Sequence, residues 1–490
     1  MEEKLFPEVI LNWINGNQAP TASAAVFPKL NPANAQLLCE VARSQAEDVQ
    51  RAVNSCREAQ PAWAGIPPVK RGEILHDVAM GLKSRREDVA RVVHLETGKS
   101  FKDALGETDG AIALGLFMAG EGQRLYGRTT TSGVLNKFAM TVRQPVGVAG
   151  LIIAANTPIA NVAWKVFPAL ICGNTAVLKA AEDTPVTAWI FGEIAHAAGL
   201  PPGALNIIQG FGDEAGAPLV AHPDVDLISF TGSTEVGRDI AVIAGRRLAK
   251  VSLELGGKNP LVVCDDADLE NAAKWVLLSA FSNAGQRCAS ASRIIVFEAV
   301  YDRFRRMIKD RAEKFKLGPA DDDDVGPVIN AAQIANMLTA IDRAKADGAV
   351  IVTGGYRLMD PEHGNGFYLA PTLIENANPE HPVSTSELFG PIASLFRVKD
   401  FGEALALANH CPYGLTACIH TRSIHRAIEF TQKVQAGVAV VNAGTYGSEP
   451  HMPFGGLKQS GNGSREPGTE ALDVYSELKD VYITIDPGQV

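Results

Sequence analysis

The feature that most constrains the fold is an alternation that begins at Val146. From there, continuous apolar runs near 146–153, 175–179, 204–209, 227–231 and 249–255 are separated by stretches of helical spacing near 158–171, 185–198, 213–221 and 234–247. A strand with one wet face alternates polar and apolar residues, whereas a strand apolar throughout is covered on both faces. Such runs with helices between them predict a parallel sheet between two helical layers. This is the doubly wound α/β architecture, whose ligands gather at the carboxyl ends of the strands. A second α/β segment is expected after Leu261 and continues to about Phe454.

Upstream, Ser44 and Glu47 read as a capping box for a helix that carries Ala46, Val49, Val53 and Cys56 on one stripe. A second helical pattern runs from about Arg71 to Glu96, with Ile74, Val78 and Leu82 aligned. Both read as packing elements. The segment from Gly127 to Pro145 reads as a polar β-hairpin leaving the main body, and such an edge invites pairing with another chain. The acids Asp321 to Asp324 lack the spacing and central Gly of a calcium loop and read as a solvated loop.

Composition excludes several classes. Asp and Glu number 55 against 45 Lys and Arg, with no basic block, so no nucleic-acid partner is expected. The ten apolar residues from Val146 to Ala155 fall short of a bilayer span, which needs about 20. The start, Met1-Glu2-Glu3-Lys4, is acidic where a signal peptide would be basic and then apolar. Seven scattered cysteines contain no C-x-x-C, and no H-E-x-x-H occurs. No metal, no disulfide framework and a cytoplasmic setting are therefore expected.

Five places carry candidate chemistry. The turn Gly210-Phe-Gly212-Asp-Glu-Ala-Gly216 follows a strand with spacing one residue longer than the dinucleotide fingerprint, and a plain Gly-rich turn is an equal reading. Phe230-Thr-Gly232-Ser233-Thr-Glu-Val-Gly237 is again strand, turn and helix start, where Ser233 could cap the helix or meet a phosphate. Two such turns in one alternating sheet point to a nucleotide. Lys179 and Glu182 stand just past a strand end, as a surface ion pair or as ribose contacts, and a carboxylate there would repel a 2′-phosphate. Among the cysteines, Cys288 follows Asn283-Ala-Gly-Gln-Arg287, and a cation beside it would lower the thiol pKa. Glu254 closes another strand before Gly256-Gly257, where a buried acid is costly unless used. A thiol, a carboxylate base and a dinucleotide together suggest hydride transfer through a thioester.

Seven segments then occur in order over nearly the whole chain: Ile152-Ile-Ala-Ala-Asn156, Val177-Leu-Lys179-Ala-Ala-Glu182, Phe230 to Gly237, Leu253-Glu-Leu-Gly-Gly257, Gly285-Gln-Arg-Cys288, Glu387-Leu-Phe389-Gly-Pro391 and Pro453-Phe-Gly-Gly-Leu-Lys458. In these the sequence resembles the NAD(P)-dependent aldehyde dehydrogenase superfamily. The resemblance implies roles for the matched positions. Cys288 would attack the aldehyde, the Asn156 side chain and the Cys288 N–H would hold the oxyanion, and Glu254 would activate the hydrolytic water. Lys179 and Glu182 would hold the adenine ribose, and Gly232, Ser233 and Gly237 the pyrophosphate region, with Gly212 and Leu255 adding to the cofactor site. Glu387 would hold the nicotinamide ribose and Phe389 would pack near the ring. Trp164, Arg287 and Tyr446 would line the substrate tunnel, behind which Lys165 and Glu466 would serve proton movement around the base.

The resemblance also implies three parts. These are an NAD-binding domain (1–126 and 146–256), a catalytic domain (257–457) and a small β oligomerisation domain (127–145 and 458–490). In the last, a strand near 474–487 would add to a neighbouring subunit's sheet, giving a homodimer or homotetramer. Pro-Trp and Phe, frequent around the family's oxyanion Asn, are replaced by Ala154, Ala155 and Thr157, which implies a roomier or more polar pocket. Arg287 beside the nucleophile has two readings, an anion contact for a semialdehyde substrate or a side chain pointing away from the tunnel into a structural ion pair or toward the subunit surface, and Glu182 favours NAD over NADP. The alternatives are a coenzyme A-acylating enzyme, against which Glu254 argues, a cofactor-independent thiol esterase, and a non-catalytic protein.

Overall fold

The computed structural model describes residues 5–489, so the acidic start, residues 1–4, lies outside the described residues. Five strands form as expected, all parallel: Val148–Ile152, Thr175–Lys179, Leu205–Ile208, Leu227–Thr231 and Lys250–Glu254. The first three are buried at every residue, which is why their sequences are apolar without alternation. The chain starts at the central strand Val148–Ile152, adds two strands on one side, then crosses to place Leu227–Thr231 and Lys250–Glu254 on the other. That reversal opens a crevice at the carboxyl ends of Val148–Ile152 and Leu227–Thr231, the switch point where such sheets bind ligands.

Two further strands, Asn12–Ile14 and Asn17–Ala19, extend this sheet antiparallel beyond Leu205–Ile208. At three residues each they show no readable period. Their turn is Asn15-Gly16, with φ of 54° and 73°, and an Asn-Gly pair is the strongest short hairpin signal a sequence offers. The first helix, Ala46–Gly65, begins one residue later than the Ser44–Glu47 box requires. The Gln45 N–H donates to the Asp48 carboxylate at 3.0 Å, while the Ser44 hydroxyl donates to Asn12 Oδ1 at 3.0 Å. Ala46 is consequently exposed, while Val49, Val53 and Cys56 are buried. The pattern from Arg71 to Glu96 is two helices, Pro68–Ser84 and Arg86–Thr97. The stretch near 213–221 opens with a wide turn, Gly212–Gly216, before the short helix Ala217–Ala221.

A second seven-stranded sheet runs Val350–Thr353, Thr372–Glu375, Ile392–Val398, Ala291–Phe297, Asn259–Val263, Thr416–His420 and Val438–Val441. Only its first strand is antiparallel to its neighbour. A third, small sheet pairs Ser476–Thr484 antiparallel with Lys137–Pro145, from Ser476 opposite Pro145 to Thr484 opposite Lys137. No helix among the described residues is long and apolar enough to cross a membrane.

Candidate active site

The switch point and the second sheet supply the site from opposite sides. Asn156 and Thr157 leave the end of Val148–Ile152, Gly232 and Ser233 leave Leu227–Thr231, and Glu254 ends its own strand. Ser233 caps the helix Thr234–Arg246, its Oγ accepting from the Val236 N–H at 3.3 Å. Facing them, Cys288 lies on the loop into Ala291–Phe297, and Glu387 and Phe389 on the loop into Ile392–Val398. A cavity of about 330 Å³ gathers Asn156, Gly232, Ser233, Glu254 and Leu255 from one side and Cys288, Glu387 and Phe389 from the other, with Trp164 in its wall. A second cavity of about 500 Å³ shares Asn156, Trp164 and Cys288 and adds Arg287 and Tyr446. Cys288 stands where the two meet.

Four of the expected cofactor residues lie outside these linings. Lys179 and Glu182 form an ion pair of 2.7 Å at the end of Thr175–Lys179, and Gly212 is exposed on its wide turn. Gly237 is buried under Leu255, where an added Cβ would lie 2.4 Å from Leu255 Cδ2. Lys165 and Glu466 form a buried pair of 3.0 Å. Lys165 also donates to Ser229 at 2.7 Å, and Glu466 Oε1 accepts from Ser229, Ser252 and Tyr475 at 2.8 to 3.0 Å. Ser229, Ser252 and Tyr475 gave no sign of this in the sequence, because their polarity is spent on a carboxylate far along the chain.

The Cys288 loop is held by unusual backbone. Asn283, Ala284 and Gly285 are all left-handed, with φ of 54°, 51° and 65°. For the two non-Gly residues this costs about 1–2 kcal/mol each. The surroundings impose it. Gln286 donates to the Pro327 carbonyl and accepts from the Ile329 N–H at 2.9 Å, while its own carbonyl accepts from Asn156 Nδ2 at 3.0 Å. At Gly285 a Cβ would lie 2.1 Å from the Gly390 carbonyl oxygen, so this loop and the Glu387–Phe389 loop touch backbone to backbone.

The electrostatics correct one expectation. Arg287 does not lower the Cys288 thiol. Burial, and after it Glu387 and Glu254, push the thiol up to about 12. The guanidinium turns the other way, donating to Ser282 Oγ and lying 4.6 Å over the Tyr446 ring. Glu254 is 4% exposed, and neither of its oxygens has a hydrogen-bond partner among the described residues. Burial, and then the Glu466 charge, raise it well above the ordinary carboxylate range. Burial raises Glu387 to about 7, although it accepts from the Gly257 N–H at 3.0 Å. Phe454, part of a matched segment but given no role there, packs edge-on against Trp164 at 5.4 Å.

A nucleotide-type switch point facing a thiol at the meeting of two cavities defines a class, the α/β oxidoreductases that work through a covalent sulfur adduct. Within that class the chain belongs to the aldehyde dehydrogenase family, whose model matches residues 19–481. It is 38% identical over 476 residues to alpha-ketoglutaric semialdehyde dehydrogenase of Bacillus subtilis, covering 96% of this chain and 98% of that one. It is also 38% identical over 481 residues to aldehyde dehydrogenase 1A1 of Homo sapiens, covering 96% and 94%. The structure superposes on betaine aldehyde dehydrogenase of Staphylococcus aureus in complex with NAD+ with a TM-score of 0.95, at 33% identity, covering 98% and 95%. The protein is an aldehyde-oxidising enzyme of α/β fold.

Proposed function

We propose that this chain oxidises a semialdehyde to the corresponding acid with NAD, through a bond to Cys288. The observation that carries the reading is that Cys288 and Asn156 stand at the junction of two cavities, with Glu254 in the wall of the first. The Cys288 sulfur adds to the carbonyl carbon as the thiol proton passes to solvent in the cavity, which leaves an oxyanion on the former carbonyl oxygen. Asn156 Nδ2 spends one N–H on the Gln286 carbonyl and has a second for the oxyanion, beside the Cys288 N–H. Departure of hydride leaves a thioester on Cys288. Glu254 takes a proton from the attacking water, and a carboxyl raised above its ordinary range is the stronger base once ionised. Acid leaves and the thiol is restored. Lys165 and Glu466, close behind, set the charge that Glu254 feels.

The residues present fit a dinucleotide. Ser233 and Gly232 stand at the open N-terminus of Thr234–Arg246 for the pyrophosphate region, with Gly237 leaving room beneath Leu255. Lys179 and Glu182 suit the adenine ribose, with Gly212 at the neighbouring turn, and Glu387 and Phe389 suit the nicotinamide end. Bound there, NAD supplies the hydride acceptor. The Glu182 carboxylate, partly exposed at the sheet edge, disfavours the 2′-phosphate of NADP.

For the substrate, Arg287, Tyr446 and Trp164 line the second cavity, and two of the Arg287 nitrogens have no hydrogen-bond partner among the described residues. A guanidinium so placed can take a carboxylate in a bidentate fork. The relative from Bacillus subtilis is named for a substrate of that kind. The same reading gives three domains with the boundaries stated above, a homodimer or homotetramer, and a reducing cytoplasm in which all seven cysteines stay free.

The test is kcat/KM with NAD and NADP, on succinic semialdehyde and on a neutral aldehyde of equal length, for the parent and Arg287→Ala. NAD should win. The substitution should cost about 2–5 kcal/mol on the semialdehyde and much less on the neutral aldehyde. NADP as the equal or better cofactor would refute the cofactor reading, and equal losses on both substrates the semialdehyde reading.

A further inference from the structure

Asn156 stands on an ion pair that the aldehyde chemistry does not use. Lys99 follows the helix Arg86–Thr97, and Glu107 lies on the helix Phe101–Glu121. Their side chains are 3% and 6% exposed, and Nζ lies 2.5 Å from Glu107 Oε2. A buried pair replaceable by apolar residues is weak evidence for stability alone. What distinguishes this one is what each partner does with its remaining capacity. Lys99 Nζ donates to the Asn156 carbonyl at 2.9 Å. Glu107 Oε1 accepts from the N–H groups of Ile159 and Ala160 at 3.0 and 3.4 Å.

Those two N–H groups begin the helix Pro158–Ile171. A helix start leaves its first N–H groups without partners and normally takes a cap from the residue before it. Here that residue, Thr157, makes no cap, because its Oγ1 and its carbonyl accept from Asn161. Glu107 caps the helix from another element instead. The positive helix end and Lys99 share the carboxylate, which leaves an ammonium N–H for Asn156. The other donor on the same carbonyl is Asn283 Nδ2 at 3.2 Å, from the left-handed turn before Cys288. The oxyanion amide is thus clamped from the helix side by Lys99 and Glu107, and from the nucleophile side by Asn283 and Gln286.

The geometry points to Lys99 and Glu107 as a positioning pair that fixes the Asn156 peptide, so that its amide N–H meets the oxyanion formed at Cys288. This rests on the oxyanion role of Asn156 in the function proposed above. It assigns no contact with the reacting atoms to Lys99 or Glu107. A donor displaced by about 1 Å can lose about 10²-fold in rate.

The experiment is the burst rate of NADH formation in Asn156→Ala, Lys99→Met and the double variant, with NAD affinity measured in parallel. Lys99→Met should slow the burst by about 10²-fold and leave NAD affinity unchanged. The decisive readout is non-additivity. In the Asn156→Ala background, Lys99→Met should cost nothing more, because there is no amide left to position. Additive losses, or a parent-like burst in Lys99→Met, overturn the inference. Lys99→Met removes the cation paired with Glu107, so Lys99→Met/Glu107→Gln is measured beside it, with a thermal melt to establish folding. That variant should melt cooperatively and still be slow. Full recovery of the burst in it would overturn the inference, since the loss would then have come from the stranded charge. A parent-like burst in Asn156→Ala overturns the oxyanion reading itself, an outcome separate from failure of the Lys99 variants alone.

Discussion

The Cys288 thiol is pushed up to about 12, and the Glu254 carboxyl is raised well above its ordinary range. In each case the largest cause is burial, which penalises the charged form. The sign of the pH response follows. The fraction of Glu254 able to accept a proton grows as pH rises, so kcat should climb with pH above the range where an ordinary carboxylate has already ionised. In Glu254→Gln that climb should vanish while a burst of about one NADH per site remains. Cys288→Ser should show neither burst nor turnover and should still bind NAD. Stopped-flow and steady-state profiles on the same preparations check all three. That Cys288, Glu254 and Asn156 belong to one site was legible in the sequence, but the burial that raises the thiol and the carboxyl was not. Arg287 adjoins Cys288 in the chain and faces Tyr446 and Ser282 in space, because consecutive residues on a loop point different ways. Lys99 and Glu107 were invisible for a related reason. Their meaning depends on a carbonyl 57 residues further on.

At the level of elements, the central strands were the easiest part to read. Burial on both faces writes an uninterrupted apolar run, and nothing else in the chain competes with that pattern. The misreadings fall where a tertiary bond overrides a local one. Ser44 is drawn to Asn12, so the first helix starts late. The contact between the Cys288 loop and the Glu387–Phe389 loop is also of this kind, and Gly285 permits it twice over. Its φ is 65°, and a Cβ would strike the Gly390 backbone. Gly285→Ala should therefore separate nucleophile from cofactor loop, lowering kcat/KM by about 10²-fold. It should also cost more stability than the roughly 1 kcal/mol usual for a point change. A thermal melt beside steady-state kinetics checks it. Parent-like kinetics would mean that the two loops move independently.

For the whole molecule, the small sheet has an uncovered face. Phe138, Val142 and Ile483 lie on one side of the Lys137–Pro145 and Ser476–Thr484 pair and are each between 39% and 57% exposed. The far edge of Ser476–Thr484 has no strand beside it among the described residues, and neither does that of Val438–Val441 in the second sheet. An apolar face and two open edges are what a chain carries when copies of itself cover them. Light scattering should give a dimer or tetramer, and Phe138→Asp/Ile483→Asp should shift it towards monomer. A parent that scatters as a monomer would end the proposal.

The meeting of two cavities at one sulfur also governs traffic. On the proposed reading the dinucleotide and the aldehyde reach Cys288 from two cavities, which share Asn156, Thr157, Ala160, Trp164 and Phe454 around it. Freed acid can withdraw along the channel by which the aldehyde came, while reduced cofactor still occupies its own. An accumulating acid therefore obstructs the next aldehyde and leaves the dinucleotide free to exchange. The enzyme's throughput in a cell would then answer to two separate queues, one set by carbon flux and one by the redox pool.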